Sequence, residues 1–275
     1  MDYVAPAEVV SEALRLGERK ARLGVRDMLI RGGLAGAFLG YATSLVFMVL
    51  SQGLPPVVGA LLFPVGFVIL VLLGLELATG NFALLPPALL AGRISKRQLI
   101  RNWTWVYAGN LIGSLLYAGL FYLAITNFGS NNGGAVADQI RAATLKKTTA
   151  YAAMGSLGWC TAFVKGMLCN WMVTVGAVIA LASRSTIGKV VAMWLPIFTF
   201  FAHGYEHSIV NMFLIPTGMI LGSHVSTGTW LFWNQLPVTL GNIVSGALFT
   251  GLALYYAFPV KTVEESGPAL LAKAG

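Results

Sequence analysis

Residues 204–216 read GYEHSIVNMFLIP and lie inside an otherwise apolar segment, 194–221. Glu206, His207, Ser208 and Asn211 stand within it. Ionisable groups at bilayer depth cost roughly 2.5–3.5 kcal/mol each on insertion scales, so in such a segment they mark function. The pattern occurs once more, about 130 residues earlier. Gly74-Leu75-Glu76 is followed five residues on by Asn81, with Pro86 ten after the Glu; Gly204-Tyr205-Glu206 is followed in the same way by Asn211 and Pro216. The chain reads as two halves, each built around one interrupted helix. The breaks are expected to be non-helical over 76–82 and roughly 201–209, and to approach each other near mid-membrane.

Composition sets the class. The 275 residues are 57% hydrophobic and 10% charged, against about 25% charged in soluble domains. This is the composition of an all-α polytopic membrane protein. The net charge of +8 would suggest nucleic acid in a soluble chain. Here most basic residues fall in short loops and the amino-terminal arm, where they write membrane topology, and no nucleic-acid partner is expected. Cys160 and Cys169 share one apolar segment, so no disulfide is expected. The first apolar run begins after some 30 residues and is long, unlike a cleaved signal peptide.

Residues 1–28 carry both charge signs. Pro6 and Glu8 suit the first turn of a helix, and Val9, Val10, Ala13, Leu14 and Leu16 recur at helical spacing before Arg15, Arg19, Lys20 and Arg22. This is an amphipathic helix, lying at a membrane surface or simply solvated. Six spans follow, at 29–50, 56–91, 103–125, 154–182, 189–221 and 230–258, most near the ~20 residues that cross ~30 Å of hydrocarbon. The second and fifth carry Glu, Asn and Pro near their middles, and non-helical backbone at that depth survives only where it lines a cavity or is buried in protein. The loop 126–150 holds GSNNGG and then a helix-like QIRAATLKKTTAYAA.

Lys and Arg set the orientation. Arg15, Arg19, Lys20, Arg22, Arg26, Arg93, Lys96, Arg97, Arg101, Arg184, Lys189, Lys261 and Lys273 fall on one side. Arg141, Lys146 and Lys147 alone fall on the other. Both termini are therefore expected inside, including a tail at 259–275. GNLIGSLLYAGL at 109–120 also matches GNIVSGALFTGL at 241–252. Each half thus holds three spans, 29–126 and 154–258. Three is odd, so the halves form an inverted 3+3 repeat of the transporter type.

Charged groups inside the spans are few: Glu76, Lys165, Glu206, and Arg31 at the inner end of the first. His207 titrates near neutrality in its reference state; it is either a proton-exchanging group on a pathway or a hydrogen-bonded structural histidine. Lys165 either draws anions into a vestibule or pairs with a Glu. Glu76 and Glu206 could carry protons or cations, but their matched placement suggests acceptors for backbone N–H groups freed at the breaks, with Asn81 a polar partner there. Thr79 with nearby amides could hold a small anion, and Asn170 and Asn211 could do likewise. Phe63, Phe67, Phe200, Leu77 and Val173 are placed to narrow a pore, or to pack. No metal-spaced Cys/His set, Walker-type phosphate loop or other cofactor pattern is present.

GLELATGN at 74–81, KGMLCNWMV at 165–173, EHSIVNMFLIP at 206–216 and PVTLGNIVSG at 237–246 together resemble the formate–nitrite transporter family, over about residues 5–260. The resemblance implies a homopentamer in membrane lipid, each protomer an aquaporin-like bundle of six helices with its own pore and with helices two and five broken. It implies passage of formate, or of nitrite or hydrosulfide, together with protons. His207 matches the family's central histidine, Thr79 its loop threonine and Lys165 its vestibule lysine. Leu77, Ala78 and Val173 match an inner slit; Phe63, Phe67 and Phe200 match an outer one. Ala78 stands where the family often has Phe, and Thr174 where it often has Cys, so the inner slit is expected to be wider or differently shaped. The GNFALLPP run at 80–87 resembles the formate-dehydrogenase-associated branch. The reading is of an inner-membrane passage and not an enzyme.

Overall fold

The computed structural model describes residues 2–258 and is all-helical over them; the tail expected at 259–275 lies outside the described residues. A short helix, α1 (Pro6–Ala21), precedes four helices long and apolar enough to cross a membrane: α2 (Val25–Ser51), α6 (Lys96–Ile125), α9 (Ser156–Ile179) and α12 (Thr227–Ala257). Between them stand two pairs of shorter apolar helices. One is α3–α4 (Pro56–Leu62, Pro64–Leu72) with α5 (Ala78–Leu90); the other is α10 (Thr186–Ala202) with α11 (Ser208–Ile220). The expected polar loop after α6 is largely helical, as α7 (Gly134–Lys147) and α8 (Thr149–Ala153).

Both breaks are five residues long, 73–77 and 203–207; the first starts earlier and ends sooner than the expected 76–82, and the second falls inside the expected 201–209. Gly74 (φ +65°) and Gly204 (φ +66°) take the left-handed conformation that ends a helix. Behind them Leu75 N–H donates to Leu70 O (2.9 Å) and Tyr205 N–H to Phe200 O (3.3 Å), the long closing bond of such a cap. Leu77 and His207 are then extended, and helix resumes at Ala78 and Ser208. Thr79 and Asn81, expected within the first break, therefore sit in the opening turns of α5.

The Gly-Asn pairs explain how each break is held. Asn110 Oδ1 accepts from Ala78 N–H (3.0 Å), while its amide donates to Gly32 O (2.8 Å) and Glu76 O (2.9 Å). Asn242 does the same: its Oδ1 accepts from Ser208 N–H (3.0 Å), and its amide donates to Gly166 O (2.8 Å) and Glu206 O (3.1 Å). One asparagine thus satisfies an N–H and a C=O that the break in lipid would leave orphaned, and ties them to a carbonyl of the neighbouring unbroken helix. Glycines let the helices approach closely enough for this. A Cβ on Gly113 would overlap Gly33 O across α2–α6, and one on Gly241 would overlap Phe163 O across α9–α12. Two π-helical segments, Leu231–Gln235 and Ser245–Leu252, interrupt α12 on either side of Asn242.

The apolar face of α1 packs on the protein. Val9, Leu14 and Ala21 are buried against Leu84, Leu85 and Ala88, and Gly17 lies on the Leu84 carbonyl. The preceding strand of chain is tied to the segment after α9, with Val4 N–H on Ala182 O (2.9 Å) and Arg184 N–H on Asp2 O (3.0 Å).

Candidate functional site

The two breaks meet at one polar contact. Thr79 Oγ1, in the first turn of α5, lies 3.1 Å from His207 Nε2, the last residue before α11. Both side chains are buried. His207 is also the N-cap of α11, its Nδ1 accepting from Val210 N–H at 3.2 Å. A neutral imidazole has one donor and one acceptor nitrogen. With Nδ1 accepting, the proton is on Nε2, which donates to Thr79 Oγ1. Thr79 is fixed in turn by Asn170, whose amide donates to Thr79 O (3.1 Å) and Asn242 O (2.7 Å). Asn170 therefore spends its donors on carbonyls, while its Oδ1 is buried without a partner.

Aromatic rings close one side of this contact. Phe200 stacks near His207, with centroids 5.9 Å apart, and meets Phe63 edge-on at 5.8 Å. Phe63 in turn stacks on Phe201 at 3.9 Å. Phe201 is absent from the sequence reading, because it lies in a run of apolar residues with nothing local to mark it. Phe67, Leu77, Ala78 and Val173 are buried in the same continuous core. Thr174 turns its hydroxyl away to Asn170 O (2.6 Å) and Thr250 Oγ1 (2.7 Å), tying α9 to α12.

Beyond the rings, on the face carrying α7 and α8, a cavity of about 620 Å3 opens. Lys146, Lys147 and Lys165 line it against one carboxylate, Glu206, so its field favours anions. A larger groove, about 790 Å3, lies between α6 and α12. It is mainly apolar and touches none of the charged residues at the breaks.

Glu76 and Glu206 do not accept from freed backbone N–H groups as expected; Asn110 and Asn242 serve those groups instead. Each carboxylate is the centre of a four-residue side-chain cluster. Glu76 accepts from Lys20 Nζ (2.7 Å) and Asn81 Nδ2 (2.9 Å); Asn81 Nδ2 also donates to Asn102 Oδ1 (2.9 Å), and Asn102 Nδ2 to Lys20 O (2.9 Å). Glu206 accepts from Lys147 Nζ (2.8 Å) and Asn211 Nδ2 (2.8 Å); Asn211 Nδ2 also donates to Asn234 Oδ1 (2.9 Å), and Asn234 Nδ2 to Lys147 O (3.0 Å). Asn211 thus belongs with Glu206 as Asn81 belongs with Glu76, and its side chain makes no hydrogen bond to Thr79 or to the His207 ring. Lys147 and Lys20 were legible only as topology-setting charges. The available signal was that each ends a short helix just ahead of the first long helix of its half.

Lys165, on α9, forms no side-chain hydrogen bond or salt bridge among the described residues; its Nζ lies 5.6 Å from the centroid of the Tyr151 ring. Its backbone carbonyl accepts from Glu206 N–H (3.3 Å). The next residue, Gly166, plays the part that Gly32 plays in the first half, which makes Arg31 the equivalent of Lys165.

Long apolar helices, two broken ones meeting at a Thr–His pair, and a basic cavity beside it define a multi-pass membrane protein of the solute-passage class. A family model described as formate/nitrite transporter matches residues 7–256, and the chain belongs to that family, whose members are transporters and channels. A "Probable formate transporter" of Methanothermobacter thermautotrophicus is 35% identical, over 93% of this chain and 97% of that protein. The "Nitrite transporter NirC" of Escherichia coli (strain K12) is 33% identical, over 92% of each. Among solved structures, an "FNT family ion channel" superposes with a TM-score of 0.78 at 31% identity, over 92% of this chain and 99% of that one. A "Pentameric formate channel with formate bound" gives 0.68 at 27% identity, over 85% and 97%.

Proposed function

We propose that the chain passes small monovalent anions, formate foremost, across the inner membrane as a homopentamer, each protomer holding its own pore and both termini lying in the cytoplasm. The observation that carries this reading is the Thr79–His207 pair, bridging two broken helices beside an aromatic cluster that separates it from a lysine-lined cavity. The matched hydrogen bonds of Asn110 and Asn242 support an inverted repeat of three spans each, and the relatives named formate and nitrite transporters support the substrate class. Lys165 attracts the anion. The Phe63, Phe67, Phe200 and Phe201 rings strip its water, and desolvation favours the neutral acid over the carboxylate. A proton reaches the anion from His207, directly or through water, and the acid crosses the slit of Leu77, Ala78 and Val173.

The Val210 N–H bond to Nδ1 favours a second reading of His207 itself. Protonating Nδ1 would set two N–H groups against each other, so a full relay must release the cap on each turnover. Held in the cap, His207 instead offers Nε2–H to the passing anion as a fixed neutral donor. Proteoliposome flux of formate, nitrite, hydrosulfide and lactate at several pH values decides. The relay expects formate flux that rises as external pH falls, and a His207→Asn protein that loses this pH dependence and passes bare anion as a current. Wild-type rate and pH dependence in His207→Asn would leave the donor reading and reject the relay. Absence of flux for all four solutes would reject passage altogether, and accumulation of a chemically altered product would point to an enzyme.

A further inference from the structure

We propose that Tyr151 is a positioning residue for anion entry, keeping the Lys165 ammonium unpaired and facing the cavity. The inference rests on the role given to Lys165 above. Tyr151, on α8, is buried and does two things at once. Its hydroxyl donates to Glu206 Oε1 at 2.8 Å, and its ring lies beneath Lys165 Nζ at 5.6 Å. Glu206 Oε2 is filled by Lys147, Asn211 and Asn234. Tyr151 therefore takes the one carboxylate oxygen that the polar cluster leaves over.

This arrangement answers a physical difficulty. Glu206 and Lys165 are neighbours through the bond from Glu206 N–H to Lys165 O. A lysine beside a buried carboxylate with a vacant oxygen would fold onto it, and the pair would present no net charge to an arriving anion. With Oε1 engaged by the phenol, both carboxylate oxygens already hold donors, which lowers what Lys165 would gain by pairing there. The ring face in turn gives the ammonium a resting place that attracts a cation without neutralising it. The first half lacks this device. Lys20 alone pairs with Glu76 Oε1, and Arg31, the equivalent of Lys165, is exposed. The two entrances therefore differ: among the described residues, a cation held by an aromatic ring stands only in the cavity beside His207.

The experiment is a double-mutant cycle on formate uptake into proteoliposomes, read as half-saturation concentration and maximal rate, with pentamer assembly checked by size-exclusion chromatography. Tyr151→Leu should raise the half-saturation concentration about 2- to 30-fold, the range spanned by cation–π contacts from exposed to desolvated, with the maximal rate little changed. Tyr151→Phe keeps the ring but vacates Glu206 Oε1, so it should recover only part of that loss. In a Lys165→Met background, Tyr151→Leu should add nothing further. An equal effect of Tyr151→Leu with and without Lys165 would overturn the inference and leave Tyr151 as a support for Glu206 alone; a Phe variant with wild-type uptake would overturn it too, since the vacated Oε1 would then not capture Lys165. If Lys165→Met weakens uptake but Tyr151→Leu does not, the positioning role fails and the entry role of Lys165 stands. If Lys165→Met itself has no effect, the entry role has failed and the inference with it.

Discussion

Replacing Lys147 by Met removes the ammonium that lies 2.8 Å from Glu206 Oε2. The Glu206 side chain is 2% exposed and that of Lys147 20%, so the stranded carboxylate has little water to turn to. Removing one partner of a buried ion pair costs about 3–5 kcal/mol, mostly the penalty of the charge left behind. Three donors remain on Glu206: Tyr151 on Oε1, and Asn211 and Asn234 on Oε2. The expected loss is therefore at the lower end, about 3 kcal/mol. Adding Glu206→Gln should return most of it. A carboxamide carries no charge to strand; its oxygen can accept from Asn211 while its NH2 donates to the Tyr151 oxygen. Unfolding by SDS in mixed micelles, followed by tryptophan fluorescence, measures both proteins. If Lys147→Met lies within about 1 kcal/mol of the wild type, or if the double variant is no more stable than the single one, the pair does not hold the break.

Two further substitutions test the backbone of the breaks. Ala at Gly74 or Gly204 must adopt φ near +65°, so each should cost about 1–2 kcal/mol in the same unfolding titration, and an unchanged midpoint would show that the cap is not maintained. Asn110→Ala orphans Ala78 N–H and Glu76 O, and Asn242→Ala orphans Ser208 N–H and Glu206 O. At about 1–3 kcal/mol per unsatisfied group, both should be severely destabilised and to a similar degree, and a large loss for only one of them would refute their equivalence.

The sequence made the breaks legible because their scaffold residues are polar in an apolar background. Glu76 and Asn81, like Glu206 and Asn211, stand at a spacing that the structure uses directly: the asparagine, five residues on, reaches back to the carboxylate. The extent of the first break was misplaced because polarity was read as loop. Thr79 and Asn81 are polar and helical, their hydrogen bonds going to His207, Glu76 and Asn102 rather than replacing a lost backbone ladder. The signal that ends the preceding helix was instead the glycine two residues before each Glu. Lys147 could not be told from Lys146 locally; only the fold brings one of them to Glu206. The docking of α1 was hidden for a similar reason, since an amphipathic stripe does not say whether lipid, water or Leu84 covers it.

The central contact was hidden for a deeper reason: the repeat itself argues against it. The halves share their scaffold residue for residue, Lys20 with Lys147, Glu76 with Glu206, Asn81 with Asn211, Asn102 with Asn234 and Asn110 with Asn242, by identical hydrogen-bond roles. By that register the equivalent of His207 is Leu77, and the equivalent of Thr79 is Ile209. The polar pair is therefore built from non-equivalent positions, one residue after the Glu in the second half and three after it in the first. Where one half presents an imidazole or a hydroxyl, the other presents a buried aliphatic side chain. Strict duplication would have given a histidine or a leucine at both 77 and 207. Two histidines would repel when charged, and two leucines would offer an anion no donor. Keeping the scaffold while exchanging these two positions leaves a single donor nitrogen, Nε2 of His207, beside a single hydroxyl, with apolar side chains at the matching places. For the anion passage proposed above, that asymmetry supplies one donor nitrogen at the contact without a second imidazole opposite it.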